Sequence, residues 1–257
     1  MSPFRLFRRR PKQRDRASAP STEAGQRLYV FGDVHGRQDL LIAMFAAIQR
    51  DQEQSPAGTA SVVGLGDYID RGPASKEVLQ ILTEGARGSP LVCLRGNHEQ
   101  MLLDFLEDPV RCGRGWLAIG GEATLRSYSV TIGSLSRATA AELKSTREML
   151  AQTISPAHVL FLQRLPLTYQ SGDYLFVHAG VRPERPLSRQ LPADLLWIRE
   201  GFADDDRPFE KVVVHGHTPV ERPFFGEHRI NIDTGAYFSG RLTCIVLEGA
   251  DRRVLEF

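Results

Sequence analysis

Five times along this chain a short apolar run ends in a glycine-flanked loop that carries Asp, Asn or His. Leu28-Tyr29-Val30-Phe31 runs into Gly32-Asp33-Val34-His35-Gly36, and residues 61–65 run into Gly66-Asp67-Tyr68-Ile69-Asp70-Arg71-Gly72. Residues 91–94 lead to Arg95-Gly96-Asn97-His98-Glu99, 174–177 to His178-Ala179-Gly180, and 211–214 to His215-Gly216-His217. Runs of this length and composition read as buried strands. Helical periodicity follows the first three, over 38–52, 76–84 and 100–106. Open α/β sheets gather their sites beyond the carboxyl ends of their strands. The pattern therefore predicts an α/β (α+β) domain in which five loops converge on one place.

Other stretches read differently. Residues 113–133 are glycine-rich and are expected to be irregular. Trp116 within them is either a wall of a cleft or ordinary packing, and the sequence favours neither. Thr139-Ala140-Ala141-Glu142 reads as a capping box opening a helix to about 152. Ser155-Pro156 opens another, to 164. A largely helical insert over about 100–168 is the result, with Pro109 closing its first helix. Strands return at 229–232, ahead of Asp233-Thr234-Gly235, and at 242–247 and 253–256. Residues 1–26 carry Arg5, Arg8, Arg9, Arg10, Lys12, Arg14 and Arg16 among Pro, Ser and Ala. They read as a disordered basic tail before a domain over 27–257. The sharper reading is a weak anchor to acidic lipid, nucleic acid or an acidic partner, with Phe4, Leu6 and Phe7 as the apolar element.

Composition excludes several classes. A net charge of +1 argues against a general or specific nucleic-acid binder. Three cysteines with no CxxC argue against a disulfide framework or a thiolate zinc site. No apolar run is long enough to span a bilayer. A cytoplasmic monomer is the expectation.

The loops concentrate chemistry. They hold five of the seven histidines, with carboxylates and an amide oxygen beside them. Such a set, free of thiolate, suits Mn²⁺, Fe or Zn²⁺. It is too large for one ion, and two ions sharing a bridging carboxylate would use it. Two such ions form a clamp for displacement at phosphorus. Arg71 and Arg95 stand beside these loops, and a guanidinium presents a planar fork to phosphate oxygens. Each residue alone has a plainer reading: Asp33 as a helix cap, Asn97 as a turn residue, His178 as a core histidine, Arg199 as a surface charge. Those readings do not explain why every one follows an apolar run and lies beside glycine.

GDVHG, GDYIDRG, RGNHE, HAG and GHT, in this order, resemble the calcineurin-like metallophosphoesterases. More narrowly they resemble the phosphoprotein (Ser/Thr) phosphatase family, in its short bacterial and phage form similar to bacteriophage lambda phosphatase. The runs Leu195-Leu196-Trp197-Ile198-Arg199-Glu200 and Ile232-Asp233-Thr234-Gly235-Ala236 look like that group too. The resemblance implies two packed mixed β-sheets flanked by helices and two divalent ions, manganese first among candidates. It implies Asp33, His35 and Asp67 around the first ion. Asp67, Asn97, His178 and His217 would hold the second. His98 would be the general acid and Asp70 its partner, with Arg71, Arg95 and Arg199 on the phosphate. Many wider relatives read GHxH at the last motif, whereas here Thr218-Pro219 follows His217, leaving the first ion three protein ligands. His215 has no ligand role in that pattern and reads as structural.

A Ser/Thr phosphatase is the first expectation, because Asp70 is the partner that branch places on the acid. The alternative is a diadenosine tetraphosphate (dinucleoside polyphosphate) hydrolase, a branch that usually lacks that Asp. A non-catalytic metal-holding scaffold and a nuclease are more remote. The substrate is expected to be a phosphorylated protein or a small phosphoester.

Overall fold

The structure is a computed structural model and describes residues 19–86, 88–131, 133, 138–205 and 207–257. Strand β1 (Gln26–Phe31) is followed by helix α1 (Gln38–Gln54), strand β2 (Thr59–Gly64), helix α2 (Ser75–Glu84) and strand β3 (Leu91–Cys93). Five helices come next: α3 (Asn97–Glu107), α4 (Pro109–Trp116), α5 (Glu122–Ser127), α6 (Ala140–Thr153) and α7 (Pro156–Arg164). Strands β4 (Thr168–Ser171) and β5 (Tyr174–Val177) precede helix α8 (Pro192–Trp197) and strands β6 (Val212–His215), β7 (Phe224–Phe225) and β8 (Arg229–Asn231). Helix α9 (Ala236–Ser239) and strands β9 (Cys244–Glu248) and β10 (Asp251–Leu255) close the chain.

Two mixed five-stranded sheets form, in the orders β10-β9-β1-β2-β3 and β4-β5-β6-β8-β7. Within the first, β1, β2 and β3 are parallel, with Val30 opposite Val63 and Val63 opposite Val92. In the second, β5, β6 and β8 are parallel. Alternation of side chains across each strand sorts the core. Leu28 and Val30 point between the sheets, where they meet Phe176, Val214 and Ile245. Tyr29 and Phe31 point the other way, into a core shared with α1, α2 and the helical region after β3. Leu175 and Val177 face a third core with Leu195 and Phe202. Helices therefore cover both outer faces of a two-sheet sandwich, the architecture the sequence leads one to expect. Both parallel sets end on the same side, and the loops that follow them meet there.

Residues 113–127 differ from the expectation. They are helical, with a π-type turn over Leu117–Gly121. The glycines allow close packing rather than breaking the chain: a Cβ on Gly113 would press on Leu143 and Phe105, and one on Gly121 on Trp116. Pro109 opens α4 instead of merely ending α3, because a first-turn residue needs no N–H partner. The capping box at Thr139 and the Ser155 cap form as read.

The tail boundary also moves. Ser21 and Thr22, placed in the tail, are tied to the fold through Ser21 N–H to Asp173 Oδ2 at 2.9 Å and Thr22 N–H to the Gly249 carbonyl at 3.0 Å. Two sheet-end turns offer partners that composition cannot reveal. The basic residues 5–16 lie outside the described residues. No helix among the described residues is long and apolar enough to cross a membrane.

Candidate metal centre

The loops after β1, β2, β3, β5 and β6 form one buried cluster. The first hangs on the second: Val34 and His35 both donate their N–H to the Asp67 carbonyl, at 3.0 and 2.9 Å. Backbone strain concentrates here. Of the six non-glycine residues with positive φ among those described, five are His35, Asp67, Asp70, Arg71 and His217. Left-handed conformations of such residues cost energy and persist where the surroundings enforce them, commonly at functional sites. Two glycines make the close approach possible. A Cβ on Gly96 would collide with the Asp67 carboxylate and amide, and one on Gly216 with the Asp33 carboxylate.

Asp67 stands at the centre. His35 Nε2 lies 3.6 Å from its Oδ2, and His178 Nε2 lies 3.4 Å from its Oδ1. His178 Nε2 is also 2.9 Å from Asn97 Oδ1 and 3.1 Å from His217 Nδ1. Two groups of ligand atoms capable of holding a metal result, His35-Asp67-His98 and Asp67-His178-His217, with Asp67 common to both.

Tautomers follow from the outer partners. His35 Nδ1 faces the Ile69 carbonyl at 2.9 Å, and His178 Nδ1 faces the Leu65 carbonyl at 2.9 Å. A carbonyl only accepts, so each Nδ1 carries the proton and each Nε2 offers its lone pair inward. This is how metal-binding imidazoles are usually oriented. Burial lowers His35 to about 3 and His217 to about 2, and lowers His178 as well. The imidazoles stay neutral, as ligation requires. Burial opposes the charge on Asp67, yet its carboxyl lies below the usual range through attraction to any positive charge on the surrounding imidazoles, of which His98 is held toward its protonated form.

Asp33 packs at the edge, accepting the His217 N–H on both oxygens at 3.3 and 3.2 Å. Burial, then the charges of Asp233 and Asp67, push it well above the ordinary carboxylate range. Three buried carboxylates and inward-facing imidazole lone pairs make a donor set suited to divalent cations. Asp233 is a part of this environment that the sequence reading did not select. It too follows an apolar run, and that was the available signal.

His98 sits in the first turn of α3, with Nδ1 2.7 Å from Asp70 Oδ2. Its Nε2 is buried, without a hydrogen-bond partner, 3.7 Å from Asp67 Oδ2. Burial would lower this imidazole, yet the Asp67 charge and the Asp70 hydrogen bond raise it. His98 is thus the one imidazole of the cluster held toward its protonated form. His215, by contrast, is packed edge-on against Phe202 with ring centroids 4.9 Å apart, and burial lowers it to about 3.

The arginines divide. Arg71 Nη1 lies 2.9 Å from His35 Nε2, with its guanidinium 4.9 Å from the Tyr237 ring centroid. Arg199 reaches Thr218 Oγ1 at 3.4 Å, beside His217. Arg95 is turned to Gln100 and to the carbonyls of Leu162 and Gln163 at the end of α7. Exposed aromatics flank the cluster: Tyr237 is edge-on to His35 at 5.4 Å, and Trp197 to His217 at 6.3 Å.

Comparison with known proteins agrees with this chemistry. The chain matches the family described as calcineurin-like phosphoesterase over residues 26–240. It is 27% identical over 234 residues to bis(5'-nucleosyl)-tetraphosphatase PrpE (asymmetrical) of Bacillus velezensis, covering 83% of this chain and 86% of the relative. It is 30% identical over 232 residues to serine/threonine-protein phosphatase 1 of Salmonella typhimurium, covering 84% and 89%. A solved chain provisionally described as a diadenosine tetraphosphatase superposes with a TM-score of 0.61 at 21% identity, over 92% of this chain and 97% of that one. At that identity the likeness is one of fold.

Proposed function

We propose, for a chain that belongs to the calcineurin-like phosphoesterase family, that the centre binds two divalent ions about Asp67 and hydrolyses dinucleoside tetraphosphates. The observation that carries the metal-dependent chemistry is that Asp67 gathers with His35 on one side and with His178 and His217 on the other. His98, which also lies in the first group, is read as the acid, and Asp33 as the further ligand at its edge. The substrate class is supported by the tetraphosphatase named among the relatives.

Asp33, His35 and Asp67 would hold one ion, and Asp67, Asn97, His178 and His217 the other. Bound there, the ions supply positive charge that polarises the phosphoryl group and acidifies water. The remaining work falls to the chain. Arg71 and Arg199 bind phosphate oxygens from either side of the cluster, Arg71 by moving off the His35 Nε2 that a bound ion would take. Arg95 must first leave the Leu162 and Gln163 carbonyls to join them. His98 passes the proton on Nε2 to the departing oxygen, while Asp70 holds Nδ1 and fixes the ring.

A second reading, hydrolysis of phosphoserine or phosphothreonine, is supported by the His98–Asp70 contact at 2.7 Å. A serine or threonine alkoxide is a far poorer leaving group than a nucleotide phosphate, so it has more need of an acid. It is also supported by the Salmonella relative.

The test supplies metal-stripped protein with Mn²⁺ and offers diadenosine tetraphosphate and a phosphoserine peptide side by side. Higher kcat/KM on the dinucleotide is the expected result. Higher kcat/KM on the peptide moves the chain to the second reading. No turnover of either, with metal bound, overturns the enzyme reading.

A further inference from the structure

We propose that Trp116 and Thr124 are positioning residues for the His98 acid, acting through Asp70. The inference rests on the reading of His98 as the proton donor. Asp70 is fully buried and pairs with His98 through Oδ2. The same Oδ2 accepts the indole N–H of Trp116 at 2.9 Å. Its other oxygen, Oδ1, accepts from Thr124 Oγ1 at 2.5 Å. The direction of that second bond is settled locally. Asp70 N–H donates to Thr124 Oγ1 and to Ser75 Oγ, both at 3.0 Å, and a carboxylate oxygen can only accept. Of the two acceptors in reach of the Thr124 hydroxyl, Asp70 Oδ1 at 2.5 Å is nearer than Ser75 Oγ at 2.9 Å.

Both donors come from the helical stretch after α3, not from the five loops. Trp116 ends α4 and Thr124 lies in α5, on either side of the π-type turn. That turn is tied back to the site, because Arg71 N–H donates to the Gly120 carbonyl at 3.1 Å. The indole also stacks obliquely on Phe105, 4.8 Å between centroids, on the helix that carries His98. One side chain thus touches both the acid's helix and the acid's carboxylate partner.

The physical consequence is directional. A buried carboxylate is hydrogen-bonded, and fixed donors on both of its oxygens hold its plane. With the indole and hydroxyl in place, Oδ2 is held against Nδ1 and the imidazole cannot rotate. Nε2 then carries the acid proton toward the cluster. Without either donor, Asp70 can turn and the acid loses its alignment, although no proposed metal ligand is touched.

The experiment uses leaving-group dependence. An acid matters for a poor leaving group and hardly at all for a good one. Full-length Mn²⁺-loaded protein is assayed on phenyl phosphate and on 2,4-dinitrophenyl phosphate. Trp116→Phe, which keeps the ring stacking, and Thr124→Val, which keeps the shape, are expected to lower kcat on phenyl phosphate by roughly 10-fold, a fraction of what general acids contribute. KM should hold, and turnover of the dinitrophenyl ester should stay within about 2-fold, since acid catalysis is not needed there. Thr124→Ser, which retains the hydroxyl, should restore the phenyl ester rate. Equal losses on both esters, or no loss on either, overturn the inference. His98→Asn is the benchmark. If it spares the dinitrophenyl ester while Trp116→Phe does not, the inference alone fails. If His98→Asn slows both esters equally, the acid reading fails and takes this inference with it.

Discussion

Glu99 accepts the backbone N–H of Asp67 at 2.8 Å, across thirty-two positions of sequence, and so anchors the residue on which the whole centre turns. The same carboxylate takes the N–H of Tyr68 at 2.8 Å, of Ile69 at 3.3 Å and of Gly96 at 2.9 Å. It binds the second loop to the third and holds Asp67 in its left-handed conformation. Burial, then the Asp67 charge, push the Glu99 carboxyl up to about 7, against the backbone N–H donors, which favour its charged form.

Glu99→Gln should therefore damage metal binding without removing a ligand. The amide keeps one acceptor oxygen and turns an NH₂ toward backbone donors. Leaving buried N–H groups unpaired costs about 1–3 kcal/mol. Affinity for Mn²⁺ should fall roughly 10- to 100-fold, the usual effect of losing an outer partner of a metal site. Calorimetric titration of the stripped protein measures it; unchanged affinity would remove Glu99 from the account.

Asp67→Asn should be more severe. The amide can neither bridge two cations nor balance them. Loss of several kcal/mol of charge stabilisation corresponds to a fall in kcat/KM on the order of 10³-fold or more. Metal content per chain should drop with it. A variant that keeps both ions and most of its activity would show that Asp67 is not shared.

Divalent metal should stabilise the fold. Asp33, Asp67 and Asp233 are buried together, and mutual repulsion contributes to the raised Asp33 and Asp233 carboxyls. At a Mn²⁺ concentration of about 100 times Kd the gain is about 2.7 kcal/mol for one site. Differential scanning fluorimetry with and without chelator reads it as a higher Tm with metal. An identical Tm in both conditions would argue against a native-state site.

His215 offers a pH prediction free of any ligand role. Its pKa is lowered from 6.5 to about 3 by burial, so its neutral form is what the fold accepts. Its contribution is fully present above pH 6.5 and is lost as pH falls toward 3, because the unfolded chain takes up the proton first. Relative to His215→Phe, the wild type should lose about 1.4 kcal/mol per pH unit below 6.5. Denaturant titrations at pH 7, 6 and 5 measure the difference. A gap between the two proteins that does not change with pH would place His215 outside a neutral, buried environment.

Much of the centre was legible in the chain. Asp33, His35, Asp67, Asn97, His98, His178 and His217 each lie directly after an apolar strand, and parallel strands end on one side of a sheet. Glycine-flanked polar residues at those ends are local facts. Arg71 lies at the cluster by the same logic, Arg199 follows helix α8 and was expected there only from the family resemblance, and Arg95 shows the limit of reading from the strand ends. Its backbone leads straight into α3, yet its guanidinium is taken by carbonyls at the end of α7, 67 and 68 positions away.

What lies between the helices was not legible. Trp116 and Thr124 sit in a glycine-rich stretch whose composition suggests a loop, and their contacts with Asp70 span 46 and 54 positions. Glycine was read as a chain breaker there, whereas at Gly113 and Gly121 it permits close packing against Phe105 and Trp116.

The sequence by itself determined the strand-loop alternation and the residue types that gather at the strand ends, because these depend on side-chain periodicity and on residues adjacent to it, and the resemblance its motifs carry implied the two-sheet sandwich. Only the tertiary structure decided which imidazole is held toward its proton, how Asp67 is anchored and what grips Asp70. Those properties arise from burial, from hydrogen-bond direction and from charges a few ångströms apart, and all three depend on residues far apart in the chain.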